Sequence, residues 1–176
     1  MRTPARIAKH PIHPMLVPIP IGLWLFSLAC DLVHRIGGTS PNWEIVALYA
    51  MVGGIIGALL AAVPGFIDVF SLPAKIRPIG FTHMGLNLAI VVLYAINAWM
   101  RRGAGVSDSL IWLSVISVAL LGVSGWLGGE MVYARGVAVE GAGEAAEPRM
   151  RYPGSERRSA TSRPAYRGPE RRMAAQ

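Results

Sequence analysis

Apolar residues fall in four long blocks with short polar breaks between them. They run from about Pro14 to Val33, Ile45 to Leu72, Gly80 to Met100 and Leu110 to about Val132. About 20 such residues cross the hydrocarbon core of a bilayer as a helix. No block alternates with the period of two that a barrel strand requires, so the pattern predicts four membrane-spanning helices. Ser40-Pro41 suits the N-cap and first position of the second span, and Pro73 and Pro78 bracket the turn before the third. Lipid supplies no hydrophobic drive for pairing, so helices must approach through small side chains and hydroxyl bonds. Gly53, Gly57 and Ala61 form such a ridge on span two, with Gly54, Ala58 and Ala62 beside it. Ser114, Ser117, Ser124 and Gly128 share one face of span four. The predicted fold is all-α, a transmembrane up-and-down four-helix bundle.

Composition agrees with the pattern. Of 176 residues 53% are hydrophobic and 15% charged, and mean hydropathy is +0.44; a soluble domain carries about a quarter charged residues. The chain divides into an N-terminal segment (1–13), the bundle (14–140) and a tail (141–176) in which Gly, Pro, Ser and Arg replace the apolar blocks. Such a tail is predicted to be disordered. It holds a short repeat, YPGSERR at 152–158 and YRGPERR at 166–172, and its eight arginines against four glutamates give net +4. Attraction to anionic lipid follows, at about 1 kcal/mol per basic residue near the surface. Nucleic acid ranks lower as a partner, and a solvated tail is the plain alternative.

Lys and Arg in the loops set orientation. Arg2, Arg6 and Lys9 precede span one, Lys75 and Arg77 lie between spans two and three, and Arg135 and the tail follow span four. These total 14, against Arg35, Arg101 and Arg102 on the other side. Both termini are therefore expected in the cytoplasm, with the bundle in the inner membrane. Cys30 is the single cysteine, which excludes an internal disulfide or a CxxC pair. SLAC (27–30) makes a poor lipoprotein box, and no cleavage site follows the first apolar run, so an uncleaved span is expected.

With this topology His10, His13, Asp68, His83, Glu130 and Tyr133 fall near the cytoplasmic membrane face. Ionisable groups at such depth are costly unless paired, which makes them functional candidates. On span three His83, Asn87, Tyr94 and Asn97 lie within an arc of about 80°. For Asn87, Tyr94 and Asn97 the plain reading is helix packing through hydrogen bonds. The stretch HPIHPMLVPIPIGL (10–23) opens span one. Each histidine precedes a proline, which disfavours the α region, so His10 and His13 are expected to be extended. Pro14 suits the first turn, and Pro18 and Pro20 would kink or delay the helix. The segment either presents His13 toward His83 or only sets the angle at which the chain enters. Glu130 fits less well, being opposite the small-residue face: either Gly128-Gly129 ends the regular helix first, or Glu130 snorkels to the interface. Asp31 and His34, three apart at the outer end of span one, suit a local pair.

HPIHPMLVPIPIGL, AAVPGFIDVFSL (61–72), His83 with Asn87, and GGEMVYARGVAV (128–139) together resemble the DUF2231 family of bacterial multi-pass membrane proteins of unknown function. The resemblance covers roughly residues 8–140. Family members often carry a histidine where this chain has Pro18, which removes one possible ligand here. Some relatives are joined to Rieske or cytochrome-like domains, and this implies redox work by context alone.

Three functions stand in order. The first is a non-catalytic membrane module (anchor, assembly or sensor subunit) whose buried polar residues lock helix packing, with no catalysis of its own. The second is a redox protein that binds b-type haem or a divalent metal. Its axial ligands would come from His13 and His83, with His10 as the other candidate. Lys75 and Arg77 would be at hand for propionates, and Tyr94 would help enclose the ring. In the metal variant His10, His13, His83 and Asp68 supply the shell. The third is a small-solute transporter, for which four helices are few unless the chain forms a homo-oligomer. A redox partner is expected only under the second.

Overall fold

The structure is a computed structural model and describes residues 3–37 and 40–139. The tail expected to be disordered and its repeat lie outside the described residues. A small hairpin comes first, β1 (Arg6–Ile7) against β2 (His10–Pro11), antiparallel with Arg6 opposite Pro11. Its two turn residues, Ala8 and Lys9, both take positive φ (48° and 71°), as a two-residue turn matching strand twist demands.

Helix α1 (Ile12–Leu16) and helix α2 (Pro18–Ile36) follow and form one span. The Val17 N–H donates to the His13 carbonyl at 3.2 Å, and the Ile21 N–H to the Val17 carbonyl at 3.4 Å. The helix therefore continues past Pro18 and Pro20, which remove donors only in the first turn of α2. His13 is helical, not extended as the pre-proline rule suggests. Pro11 takes the extended cap conformation (φ −70°, ψ 127°), and Pro14 falls in the first turn, where its missing N–H has no helical acceptor to fail.

Helix α3 (Asn42–Val69), helix α4 (Arg77–Ala104) and helix α5 (Asp108–Gly129) complete the bundle. A π-helical turn (Glu130–Ala134) extends α5. All four spans are long and apolar enough to cross a membrane. Helix α3 packs against α1, α2 and α4, and α5 against α4 and α2, which closes the bundle. The Ser40 hydroxyl accepts the Asn42 N–H at 3.3 Å as α3 begins. In the turn before α4 the Arg77 guanidinium donates to the Leu72 carbonyl at 2.9 Å. Arg77 thus braces the turn that follows α3.

The α2–α3 seam uses the small residues of span two. Gly54 faces the Trp24 indole so closely that a Cβ there would overlap the ring, and Gly57 faces Ile19 and Pro20. Trp24 is buried, donates its indole N–H to the Met51 carbonyl at 3.3 Å and stacks on Tyr94 with ring centres 4.5 Å apart. Around this pair gather Met51, Ile90, Ala98 and Leu121. The other four tryptophans are exposed. Trp43, Trp99 and Trp112 stand near one end of the helices and Trp126 near the other, as interfacial aromatics do. Large apolar side chains such as Phe26, Leu60, Leu88 and Val92 also point outward, which is the expected surface where lipid is the solvent.

Candidate functional site

The polar stripe of α4 faces the interior and serves two clusters, one toward each end of the bundle. The first is built on two imidazoles. His13 of α1 and His83 of α4 have ring centres 6.2 Å apart with perpendicular planes. Each Nδ1 lies 2.8 Å from a backbone carbonyl of a neighbouring helix, Ala61 of α3 for His13 and Ser124 of α5 for His83. A carbonyl only accepts, so Nδ1 carries a proton in both rings, and the neutral form of each ring has its lone pair on Nε2. Local sequence makes both contacts available. Pro64 inside α3 lacks an N–H and disturbs the preceding turn, next to the carbonyl that His13 meets. Gly65 and Gly128 leave room for the two rings; a Cβ at Gly65 would stand 2.8 Å from His13 Nδ1, and one at Gly128 3.3 Å from His83 Cε1.

Asn87, one turn along from His83, donates its amide to the His83 carbonyl and the Ser124 hydroxyl, both at 2.8 Å, and stands 3.1 Å from His83 Nε2. His10 and Asp68 do not join the pair. The exposed His10 turns its Nδ1 to the Ala8 carbonyl in its own hairpin at 2.8 Å. Asp68 accepts the Ala5 N–H at 2.8 Å and so ties down the N-terminal segment. Among the described residues no three His, Cys, Asp or Glu side chains gather as a metal site. Of His10, His13, His83 and Asp68, the structure brings His13 and His83 together and gives the other two different partners. Tyr133 is 91% exposed and lies outside the cluster. Glu130 follows the end of regular helix at Gly129 and pairs with Arg135 at 3.2 Å, so it too serves the helix end.

The second cluster was hidden in the sequence. Asp31 of α2 and Arg101 of α4 form a bidentate ion pair with both contacts at 2.6 Å. Their side chains are 0% and 3% exposed. Arg101 Nε donates to the Asn97 side-chain oxygen Oδ1 at 2.8 Å, and the Asn97 side-chain amide donates to the Leu110 carbonyl and the Ser114 hydroxyl, each at 2.9 Å. The expected Asp31–His34 pair is therefore corrected. Asp31 points inward to Arg101, while His34 Nε2 meets Glu44 at 2.8 Å. The missed signal is periodicity: Asn97 and Arg101 are one turn apart, so the arginine continues the polar stripe.

Tyr94 belongs to this half. Eleven residues separate it from His83, about 16 Å along a helix, so it cannot wall a ring held at the histidines. Its hydroxyl is buried without a hydrogen-bond partner. An orphaned hydroxyl carries a desolvation cost that phenylalanine avoids. Tyr94→Phe should leave thermal stability in detergent unchanged or raise it by up to about 1 kcal/mol, while keeping the Trp24 stack.

No curated protein and no solved structure matches the chain. A family model described as a predicted membrane protein (DUF2231) matches residues 9–141. That stretch takes in every helix among the described residues and both polar clusters, and the chain belongs to the DUF2231 family.

Proposed function

We propose that this chain is a non-catalytic membrane module, an anchor, assembly or sensor subunit, whose buried polar residues fix the packing of its helices. The observation that carries this reading is the use made of the α4 stripe. Asn87 and Asn97 each bond to α5, and Arg101 bonds to α2. Bonds of this kind hold helices together where lipid offers no hydrophobic drive. The excess of Lys and Arg on one set of loops supports an inner-membrane location with both termini in the cytoplasm, and the arginine-rich tail would then meet anionic lipid.

A second reading is a redox protein with b-type haem or a metal at His13 and His83. It is favoured by the Nδ1 bonds of both imidazoles, the partner arrangement that orients histidine ligands and raises their basicity. One experiment separates the two: oxidised and dithionite-reduced absorption spectra of detergent-purified protein grown with haem supply, read beside the melting temperatures of Asn87→Leu and Asn97→Leu. The module reading expects no Soret band and clearly lower melting temperatures. A Soret band with sharp reduced α and β bands, lost in His13→Ala and His83→Ala, would establish the redox reading instead.

A further inference from the structure

We propose that His13 and His83 form a two-coordinate site for a soft monovalent cation, Cu(I) or its surrogate Ag(I), held between their Nε2 atoms. This inference rests on the histidine pair being a ligand site, which a sensor module or a redox protein could equally use.

Protonation geometry is the first support. Both rings give their Nδ1 proton to fixed carbonyls on other helices, so in the neutral rings the lone pairs are on Nε2. His83 Nε2 is near the Asn87 amide, but that amide has two hydrogens and three acceptors. The two shorter contacts, at 2.8 Å, go to the His83 carbonyl and the Ser124 hydroxyl; the longer, at 3.1 Å, goes to Nε2. Asn87 can release Nε2 and still place both hydrogens. Spacing is the second support. With metal–nitrogen bonds of about 2.0–2.1 Å, two imidazole centres on opposite sides of one ion stand about 6 Å apart. The observed separation is 6.2 Å, with the two rings in an edge-type contact and their planes perpendicular.

Donor count and charge then select the ion. Two imidazoles gather and no third His, Cys, Asp or Glu joins them among the described residues. Zinc seeks four ligands and calcium six or more oxygens, whereas copper accepts imidazole readily. A divalent ion would also bring two charges between apolar helices with no carboxylate to offset them, since Asp68 is engaged at Ala5. A monovalent ion brings one. Soft thioethers lie at the same end: Met131 sits against Gly80, one turn before His83, and Met84 packs in the same small apolar cluster. A porphyrin, by contrast, would have to wedge a plate between rings already seated against α3 and α5.

The test uses the full chain, purified anaerobically in detergent without a histidine tag and titrated with Cu(I) against a chromophoric chelator. One Cu(I) per chain should be retained, and X-ray absorption should show two nitrogen neighbours. His13→Ala and His83→Ala should each weaken binding by more than the roughly 10–100-fold that loss of an outer-shell partner costs. His10→Ala and His34→Ala should bind as the parent does, and Asn87→Ala at least as tightly. Binding should weaken in acid, because protons compete for the same lone pairs. The absorption spectrum of the parent protein keeps the test decisive even if a variant misfolds. Failure to retain Cu(I), or retention undiminished in folded His13→Ala and His83→Ala, would overturn the proposal. Haem with two histidine ligands would also overturn it while leaving the ligand reading intact; absence of both haem and metal would remove both.

Discussion

Asp31→Ala should cost the bundle about 3–5 kcal/mol, the usual penalty for breaking a buried ion pair and stranding one partner. Arg101 is left with a full charge between α2 and α4, and only Asn97 still accepts from it. Relief by water is slight because both side chains are almost fully buried. Arg101→Ala should be comparably damaging, since it strands the carboxylate. The double replacement Asp31→Leu with Arg101→Met should be milder than either single change, because neither charge then remains to be desolvated. Arg35→Ala is the control. Arg35 pairs with Asp108 at 2.8 Å, but the two side chains are 63% and 68% exposed. Little change is expected there, as for most exposed pairs. Thermal unfolding in one detergent, followed by light scattering or far-UV dichroism, measures all of these. If Asp31→Ala melts with the parent protein, the ion pair does not hold α2 to α4.

Trp24→Ala should cost about 3 kcal/mol, the lower end of what tryptophan truncation costs in a soluble core. The lower end applies because the surroundings beyond the bundle are lipid, which reduces the hydrophobic part of the loss. What remains is a cavity beside Gly54, the lost stack on Tyr94 and a lost second bond to the Met51 carbonyl, which keeps its place in the α3 ladder. Trp24→Phe should recover part of the stability by refilling the stack without the N–H. The contrast is Trp126→Ala, a 77% exposed indole, which should alter reconstitution into bilayers more than melting in detergent. Equal melting shifts for Trp24→Ala and Trp126→Ala would show that the seam is not the cohesive part of the bundle.

The four spans, the helical class and the small-residue seam were legible in the sequence, because lipid tolerates one kind of backbone there and the hydropathy pattern records it directly. Periodicity likewise placed His83, Asn87, Tyr94 and Asn97 on one face, as the interhelical bonds of Asn87 and Asn97 show. Other features depended on which helix faces which. Asp31 meets Arg101 across 70 residues of chain, and no local rule couples positions so far apart. Preference for a nearby partner assigned Asp31 to His34, yet the side chains leave α2 in different directions. The pre-proline bias read His13 as extended, but its position in a first turn outweighed that local rule. Asp68 and His10 were grouped with the histidine pair because they share its membrane depth. Depth follows from topology, whereas membership in a site follows from side-chain direction, and only the packed bundle decided that.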